Sequence, residues 1–117
     1  MKDFKIVWSA RSECGPNRKK NEDTIFPAIS GSSKPPFKAA VCDGLGGHVN
    51  GDVASKIAAD TLLEEITDLN QIITEANKNI LEYQDKNPSS LGMGTTMTAI
   101  SIDIDALMKI GHVGDSR

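Results

Sequence analysis

One stretch of the chain, residues 43–52, reads Asp43-Gly44-Leu45-Gly46-Gly47-His48-Val49-Asn50-Gly51-Asp52. A short apolar run at residues 39–42 precedes it and predicts a buried strand, and a helical pattern of apolar residues follows it. Glycine permits close approaches to the backbone that other residues block. Carboxylate and carbonyl oxygens are ligands that Mg²⁺ and Mn²⁺ prefer. The stretch therefore predicts either an oxygen-rich cation site or a glycine-rich turn that the aspartate merely caps.

Spacing excludes two common phosphate-binding motifs from this stretch. A dinucleotide fingerprint that starts at Gly44 needs a third glycine where the chain has Val49. A P-loop that starts at Gly46 needs a lysine where the chain has Asp52. The glycines therefore predict neither nucleotide-binding loop.

Length and composition indicate one small globular domain. The chain has 117 residues, 38% hydrophobic residues and a net charge of −3, so no basic surface predicts nucleic-acid binding. No apolar run is long enough to cross a membrane, and residues 1–5 lack an apolar signal core. We therefore expect a cytoplasmic protein. Cys14 and Cys42 do not form a C-x-x-C pair, and we expect both to be free thiols.

Hydrophobic periodicity predicts strands and two amphipathic helices. The helices are joined by a tight turn near residues 68–70 and form an antiparallel pair on a sheet. Pro27 favours an edge strand or a bulge, and residues 30–36 read as a flexible turn. The predicted strands span residues 4–10, 24–29, 37–42, 95–102 and 106–113, and the predicted helices span residues 52–68 and 69–84.

The second and third predicted strands are expected to form a hairpin. That pairing brings Asp23, at the start of one strand, close to Asp43, at the end of the other, with Glu22 within reach. Residues 18–23 otherwise read as a charged loop in solvent, which is what most charge runs are. The hairpin therefore offers a functional alternative for both segments.

Four motifs that occur in order resemble one known family, the metal-dependent Ser/Thr protein phosphatases of the 2C (PPM) type, in its bacterial form. The resemblance covers residues 6–117 and implies an α+β fold. That fold is part of a four-layer α-β-β-α sandwich of antiparallel sheets flanked by helix pairs, incomplete at the C-terminus. Residues 1–117 would be the N-terminal half of the catalytic domain. The motifs are Arg18-x-x-Asn21-Glu22-Asp23, Asp43-Gly44-x-Gly46-Gly47-His48, Gly94-Thr95-Thr96 and Val113-Gly114-Asp115-Ser116-Arg117.

The resemblance implies a role for each acidic residue of these motifs. Asp43 would bridge two Mn²⁺ or Mg²⁺ ions, and the Gly44 carbonyl would bind one of them. Glu22 would reach that same ion directly or through water, and Asp23 would orient waters on the ions. Asp115 would contribute to a third, weaker metal site. Further ligands of the first ion would come from the other half of the domain.

Arg18 is implied as the residue that holds the substrate phosphate, since a guanidinium matches phosphate oxygens. With Asp43 it forms the implied catalytic set. His48 is more typical of a hydrogen bond within the loop than of a general acid, because the position directly after Asp43-Gly44 is Leu45. We expect His112 to be a packed strand residue, and Thr95 and Thr96 to shape the start of a strand below the site.

The implied function is metal-dependent hydrolysis of phosphoserine and phosphothreonine in proteins by a metal-activated water. The alternative is an inactive truncated fragment or a non-catalytic phosphatase-like module. A small metal- or phosphate-binding module outside the family is a third hypothesis. Because the expected domain is only half present, we expect residues 1–117 alone to be inactive, and either to be marginally stable or to self-associate through unpaired strands.

Overall fold

The computed structural model describes residues 3–45 and 50–117. The helices of this part of the chain are α1 (Gly51–Asp60) and α2 (Leu69–Lys86), with 3₁₀ turns at Thr61–Leu63 and Pro88–Ser90. Its strands are β1 (Ile6–Trp8), β2 (Asp23–Phe26), β3 (Gly31–Ser33), β4 (Phe37–Asp43), β5 (Met97–Ile102) and β6 (Met108–Val113).

Strands β2, β4, β5 and β6 form an antiparallel sheet in that order, and β1 pairs with β3 in a separate two-stranded sheet. Both helices pack on one face of the larger sheet. The structure confirms the predicted α+β class with antiparallel sheets and a helix pair. On the opposite face, Val41 of β4 and Ile110 of β6 are exposed.

The core between the helices and the sheet is built largely from small side chains. Ala54 and Ala58 of α1 are buried, and so are Cys42 of β4 and Ala99 of β5. Small residues at facing positions let the helix approach the sheet closely. The beginning of α1 is thereby held against the end of β4, where Asp43 lies.

The predicted hairpin is present. Strands β2 and β4 pair antiparallel, with Ile25 opposite Val41 and Asp23 opposite Asp43. Pro27 follows β2, which lies at the edge of the sheet. An edge position tolerates a residue without a backbone N–H, so the expectation from Pro27 is confirmed.

Two predictions about loops are wrong. Residues 30–36 include β3, because the small polar residues Gly31–Ser33 pair with β1 although they carry no hydrophobic pattern. The first helix ends at Asp60 rather than at Asp68. The Lys38 ammonium donates hydrogen bonds to the carbonyls of Glu64 and Ile66, at 3.0 Å each, and so stabilises a non-helical segment there.

The second helix agrees closely with its prediction, which placed its start at residue 69. Asp68 is its N-cap, and the Asp68 carboxylate accepts a hydrogen bond of 2.8 Å from the Asn70 backbone N–H. The predicted tight turn is therefore an N-cap, and the connection from α1 is longer than predicted. The strands predicted at 4–10, 24–29, 95–102 and 106–113 are shorter in the structure.

Both cysteines are free thiols, as predicted, but their surroundings differ. Cys14 is exposed, whereas Cys42 is fully buried and its burial raises the pKa of the thiol to about 12. We expect a thiol reagent such as 5,5′-dithiobis(2-nitrobenzoate) to modify Cys14 in the native protein and Cys42 only after unfolding in guanidinium. Cys14→Ser should abolish the native reaction. Rapid native labelling of Cys42 would contradict the packing of β4 described above.

Within the residues that the structure describes, we find no helix that combines the length and the apolar character needed to span a membrane.

Candidate metal and phosphate site

The open end of the β2–β4 hairpin places two carboxylates side by side. Asp23 and Asp43 are direct partners in the register, so their side chains lie beside each other on the same face of the sheet. Partial burial, and then the adjacent Asp43 carboxylate, raise the pKa of Asp23 above its ordinary value. Arg18 opposes this effect with its positive charge. Like charges directly opposite in a sheet are unfavourable unless a cation lies nearby.

Glu22 lies next to this pair and against the start of α1. A Cβ on Gly51, the first residue of α1, would lie 2.3 Å from the Glu22 Oε2 atom. A side chain at that position would displace the Glu22 carboxylate from its present place. A carboxylate at a helix N-terminus also interacts favourably with the helix dipole.

The backbone after β4 is fixed from two sides. The Gly44 N–H donates to the Glu22 carbonyl at 3.0 Å, and the Leu45 N–H donates to the Gly94 carbonyl at 3.0 Å. The Asp43 N–H donates to the Thr96 hydroxyl oxygen at 3.0 Å, and the Thr96 N–H donates to the Asp43 carbonyl at 2.9 Å. These hydrogen bonds explain why Thr96 shapes the base of the site, as the sequence predicts.

Two cations flank the carboxylates. The Arg18 Nη1 atom lies 3.9 Å from Glu22 Oε1, and the Lys20 Nζ atom lies 3.9 Å from Asp52 Oδ2. The Arg18 side chain is 65% exposed. At this distance the guanidinium is not locked into a bidentate pair, so its donors can reach another anion.

The C-terminal motif comes to the same place through Thr96. The Ser116 hydroxyl lies 2.8 Å from the Thr96 hydroxyl. Gly114 has a φ of +108° and packs so tightly on Thr96 that a Cβ there would meet its methyl at 2.6 Å. Asp115, between these two residues, thereby lines the site.

The residues that the sequence singles out line one cavity of about 510 Å³. The structure therefore brings together, at the end of one hairpin, residues that lie far apart in the chain. The predicted site residues on its wall are Arg18, Glu22, Asp23, Asp43, Gly44 and Asp115.

The donor set of this cavity fits a hard divalent cation. Asp23 and Asp43 are adjacent like charges, and a bound cation would neutralise both of them. However, no three His, Cys, Asp or Glu side chains within residues 3–45 and 50–117 are grouped closely enough to hold an ion. The described residues thus provide part of a coordination shell.

The two histidines do not contribute to the described site. His48 lies outside the described residues. His112 is exposed rather than packed, which corrects the prediction, because β6 presents it on the uncovered face of the sheet. Its Nε2 donates to the Gly114 carbonyl at 2.7 Å, and its Nδ1 forms a hydrogen bond of 2.7 Å with the Thr98 hydroxyl.

Sequence reasoning missed two residues of the site. Lys20 lines the cavity, although its charge run had the composition of an ordinary solvated loop. Ser55 is fully buried in α1 behind Glu22. The signal for Ser55 was a polar residue within the apolar stripe of an amphipathic helix.

An α+β domain with paired carboxylates and an arginine in one cavity has the composition typical of metal-dependent phosphoester hydrolases. Comparison with known proteins identifies the group more closely. The chain is 38% identical over 120 residues to the serine/threonine phosphatase stp of Listeria innocua. The aligned region covers 92% of the chain and 46% of that protein. It is 34% identical over 121 residues to the serine/threonine protein phosphatase PstP of Mycobacterium tuberculosis, covering 96% of the chain and 22% of PstP.

Solved structures give the same result. The crystal structure of M. tuberculosis PstP/Ppp matches with a TM-score of 0.68 and 26% identity, covering 99% of this chain and 48% of that one. The PstP catalytic domain in complex with two manganese ions matches with a TM-score of 0.67 and 28% identity, covering 99% of this chain and 49% of that one. No family model matches the chain.

These comparisons confirm the resemblance predicted from the motifs: over nearly its whole length, the chain matches part of a bacterial PPM-type serine/threonine phosphatase. It spans about half the length of the Listeria relative.

Proposed function

We propose that this chain forms part of a catalytic domain that hydrolyses phosphoserine and phosphothreonine in proteins. The observation that carries the proposal is the cavity at the end of the β2–β4 hairpin, where Asp23, Asp43 and Glu22 lie beside Arg18. The relatives named serine/threonine phosphatases support the type of reaction. Residues 1–117 would be the N-terminal half of this domain.

Asp43 is proposed as the central metal ligand, with the Gly44 carbonyl and Glu22 on one side and Asp23 on the other. Asp115 is proposed to serve a further ion. Mn²⁺ is favoured by the PstP complex, and Mg²⁺ prefers the same oxygen ligands. Bound divalent ions would supply a water of lowered pKa and neutralise charge on the phosphate. The pairing register of β2 and β4 holds the Asp23 and Asp43 carboxylates next to each other.

Arg18 is proposed to bind the substrate phosphate. Its guanidinium is exposed on the cavity wall and has a contact of 3.9 Å with Glu22, which leaves donors free. The geometry of a guanidinium suits two phosphate oxygens at once, whereas an ammonium offers a single charged point.

We expect Arg18→Ala to raise KM for p-nitrophenyl phosphate about 10- to 100-fold, because a hydrogen bond to a charged group contributes about 1.5–3 kcal/mol. Arg18→Lys should recover only part of this loss, since the ammonium cannot bind in a bidentate manner. The measurement is steady-state kinetics at saturating Mn²⁺, made on a longer form of the protein that completes the expected catalytic domain. Arg11→Ala is the matched control, because Arg11 is exposed, pairs with Glu13 and does not line the cavity. A KM for Arg18→Ala equal to that of the control would contradict the proposal.

Residues 1–117 by themselves are proposed to be catalytically inactive. The described carboxylates form no complete metal-binding group, and the chain spans about half of the Listeria relative. Mn²⁺-dependent hydrolysis by the isolated chain would refute this part of the proposal. Mn²⁺ binding with no hydrolysis by any longer form would favour the second candidate, a non-catalytic phosphatase-like module.

Self-association and a cytoplasmic location are also proposed. Strand β6 is an edge of the four-stranded sheet, and its side chains Met108, Ile110 and Val113 are largely exposed. An exposed apolar edge strand favours pairing with another strand.

A phosphoprotein is the proposed substrate, and the proposal includes no nucleic acid or membrane as a partner.

A further inference from the structure

The Ser55 side chain occupies a buried junction behind the candidate site. Ser55 is 0% exposed to solvent. Its Oγ lies 2.7 Å from the Glu22 carbonyl oxygen, 3.1 Å from the Asp52 carbonyl oxygen and 2.9 Å from the Thr24 hydroxyl oxygen. One hydroxyl group thus connects α1 with β2 and with the residue that precedes β2.

The direction of these hydrogen bonds follows from the number of protons available. A hydroxyl carries one proton, and a carbonyl can only accept. The Ser55 proton is therefore directed at the carbonyls, and the shorter contact is to Glu22. The Thr24 hydroxyl must then donate to Ser55 Oγ.

The Glu22 carbonyl has a second donor, the Gly44 N–H at 3.0 Å. Ser55 and Gly44 therefore hold the same carbonyl oxygen from two elements of the fold. This shared acceptor connects Glu22, the residue before β2, to Gly44, the residue that follows Asp43 at the end of β4. A displacement of Glu22 would change the separation of the proposed ligands.

We propose that Ser55 is a positioning residue: its hydroxyl fixes the Glu22 backbone against Gly44 and so sets the spacing of the Glu22 and Asp43 carboxylates. Its importance for metal binding rests on the function proposed above. Residues that orient ligands typically contribute about 10- to 100-fold to metal affinity. Ser55 acts from behind the ligands and is not itself one of them.

The test compares Ser55→Ala with Thr61→Val, each of which removes a buried hydroxyl from the same part of the fold. The Thr61 hydroxyl donates to the Ile57 carbonyl at 3.0 Å and does not line the cavity, so it controls for the loss of any buried hydrogen bond. Ser55→Cys is a second variant, because a thiol of similar shape is a weak donor. Each variant is first checked by its melting temperature.

Two readouts are measured on a form of the protein that carries the complete expected domain. For Ser55→Ala we expect the Mn²⁺ dissociation constant, measured by calorimetry, to rise about 10- to 100-fold, and that of Ser55→Cys to rise less. In the metal-free protein we expect faster amide hydrogen exchange at Gly44 in Ser55→Ala, with exchange at Ile72 in the core unchanged. Thr61→Val should match the wild type in both.

The outcomes separate the two proposals. An unchanged Mn²⁺ affinity in a folded Ser55 variant, while Asp43→Asn abolishes binding, would overturn the positioning role alone. Unchanged Gly44 exchange in Ser55→Ala would overturn it as well. Absence of Mn²⁺ binding by a wild-type protein that carries the complete expected domain would overturn the proposed function, and the Gly44 exchange rate would then decide whether Ser55 positions Glu22. Equal losses in Thr61→Val would show a general packing effect and would also overturn the inference.

Discussion

Replacing Asp43 with asparagine is expected to abolish Mn²⁺ binding and hydrolysis of p-nitrophenyl phosphate. Asp43 is the side chain around which the other proposed ligands are arranged, since it pairs with Asp23 and its backbone is fixed by Thr96. Removal of a residue that only orients a ligand costs about 10- to 100-fold in metal affinity. Loss of the central carboxylate should therefore cost at least about 100-fold. Calorimetric titration with Mn²⁺, together with turnover of the longest available form of the protein, measures the effect.

The same substitution should not destabilise the metal-free protein. Asp23 and Asp43 are like charges that face each other in the sheet, so a neutral amide at position 43 removes a repulsion. We expect the metal-free melting temperature to stay the same or rise, while the stabilisation that Mn²⁺ gives the wild type disappears. Asp60→Asn is the matched control, because Asp60 is exposed, pairs with Lys56 and lies outside the cavity. Wild-type Mn²⁺ affinity in Asp43→Asn would exclude the bridging role.

Replacing Gly44 with alanine is expected to disrupt both the fold and the site. A Cβ at this position would lie 2.2 Å from the Gly51 carbonyl oxygen and 2.7 Å from the Glu22 carbonyl oxygen. Both are backbone atoms, so the start of α1 or the start of β2 must move. Overpacking typically costs about 1–3 kcal/mol and occasionally more. We therefore expect Gly44→Ala to lower the free energy of unfolding, measured in urea, by about 3 kcal/mol. Mn²⁺ affinity should fall as well, because Glu22 is displaced.

Gly15→Ala is the control for this substitution. Gly15 also lines the cavity, but a Cβ there would lie 3.6 Å from the Arg18 Cγ atom, which is an ordinary contact. Its free energy of unfolding should therefore change by less than about 0.5 kcal/mol. Equal stabilities for Gly44→Ala and Gly15→Ala would contradict the close packing of α1 on the end of β4.

The hairpin was predictable because its two strands carry local signals. The apolar run before Asp43 and the β-branched run after Asp23 each indicate a strand, and the turn residues between them favour antiparallel pairing. Antiparallel pairing then places the start of one strand opposite the end of the other. The proximity of Asp23 and Asp43 therefore followed from local pattern alone.

The errors occurred where a distant contact overrides local pattern. The apolar spacing continues past Asp60, but Lys38 of β4 binds the carbonyls of Glu64 and Ile66 and stabilises a non-helical segment. Strand β3 exists because it pairs with β1, since its own residues are small and polar. The residues after Asp60 do not reveal that Lys38 will bind their carbonyls, and residues 31–33 do not reveal that they will pair with β1.

The amino-acid sequence by itself determined the α+β class, the β2–β4 hairpin and the acidic residues and Arg18 of the candidate site, because strand periodicity and the motifs are local properties of the chain. Only the tertiary structure decided the junction at Ser55 and the packing of Gly44 against Gly51. Both depend on how closely α1 approaches the sheet. Buried alanines set that approach, and so do hydrogen bonds between segments far apart in the chain, such as the one from Ser55 to Glu22. The physical reason is that a hydroxyl or a missing Cβ has no pattern of its own until its neighbours are in place.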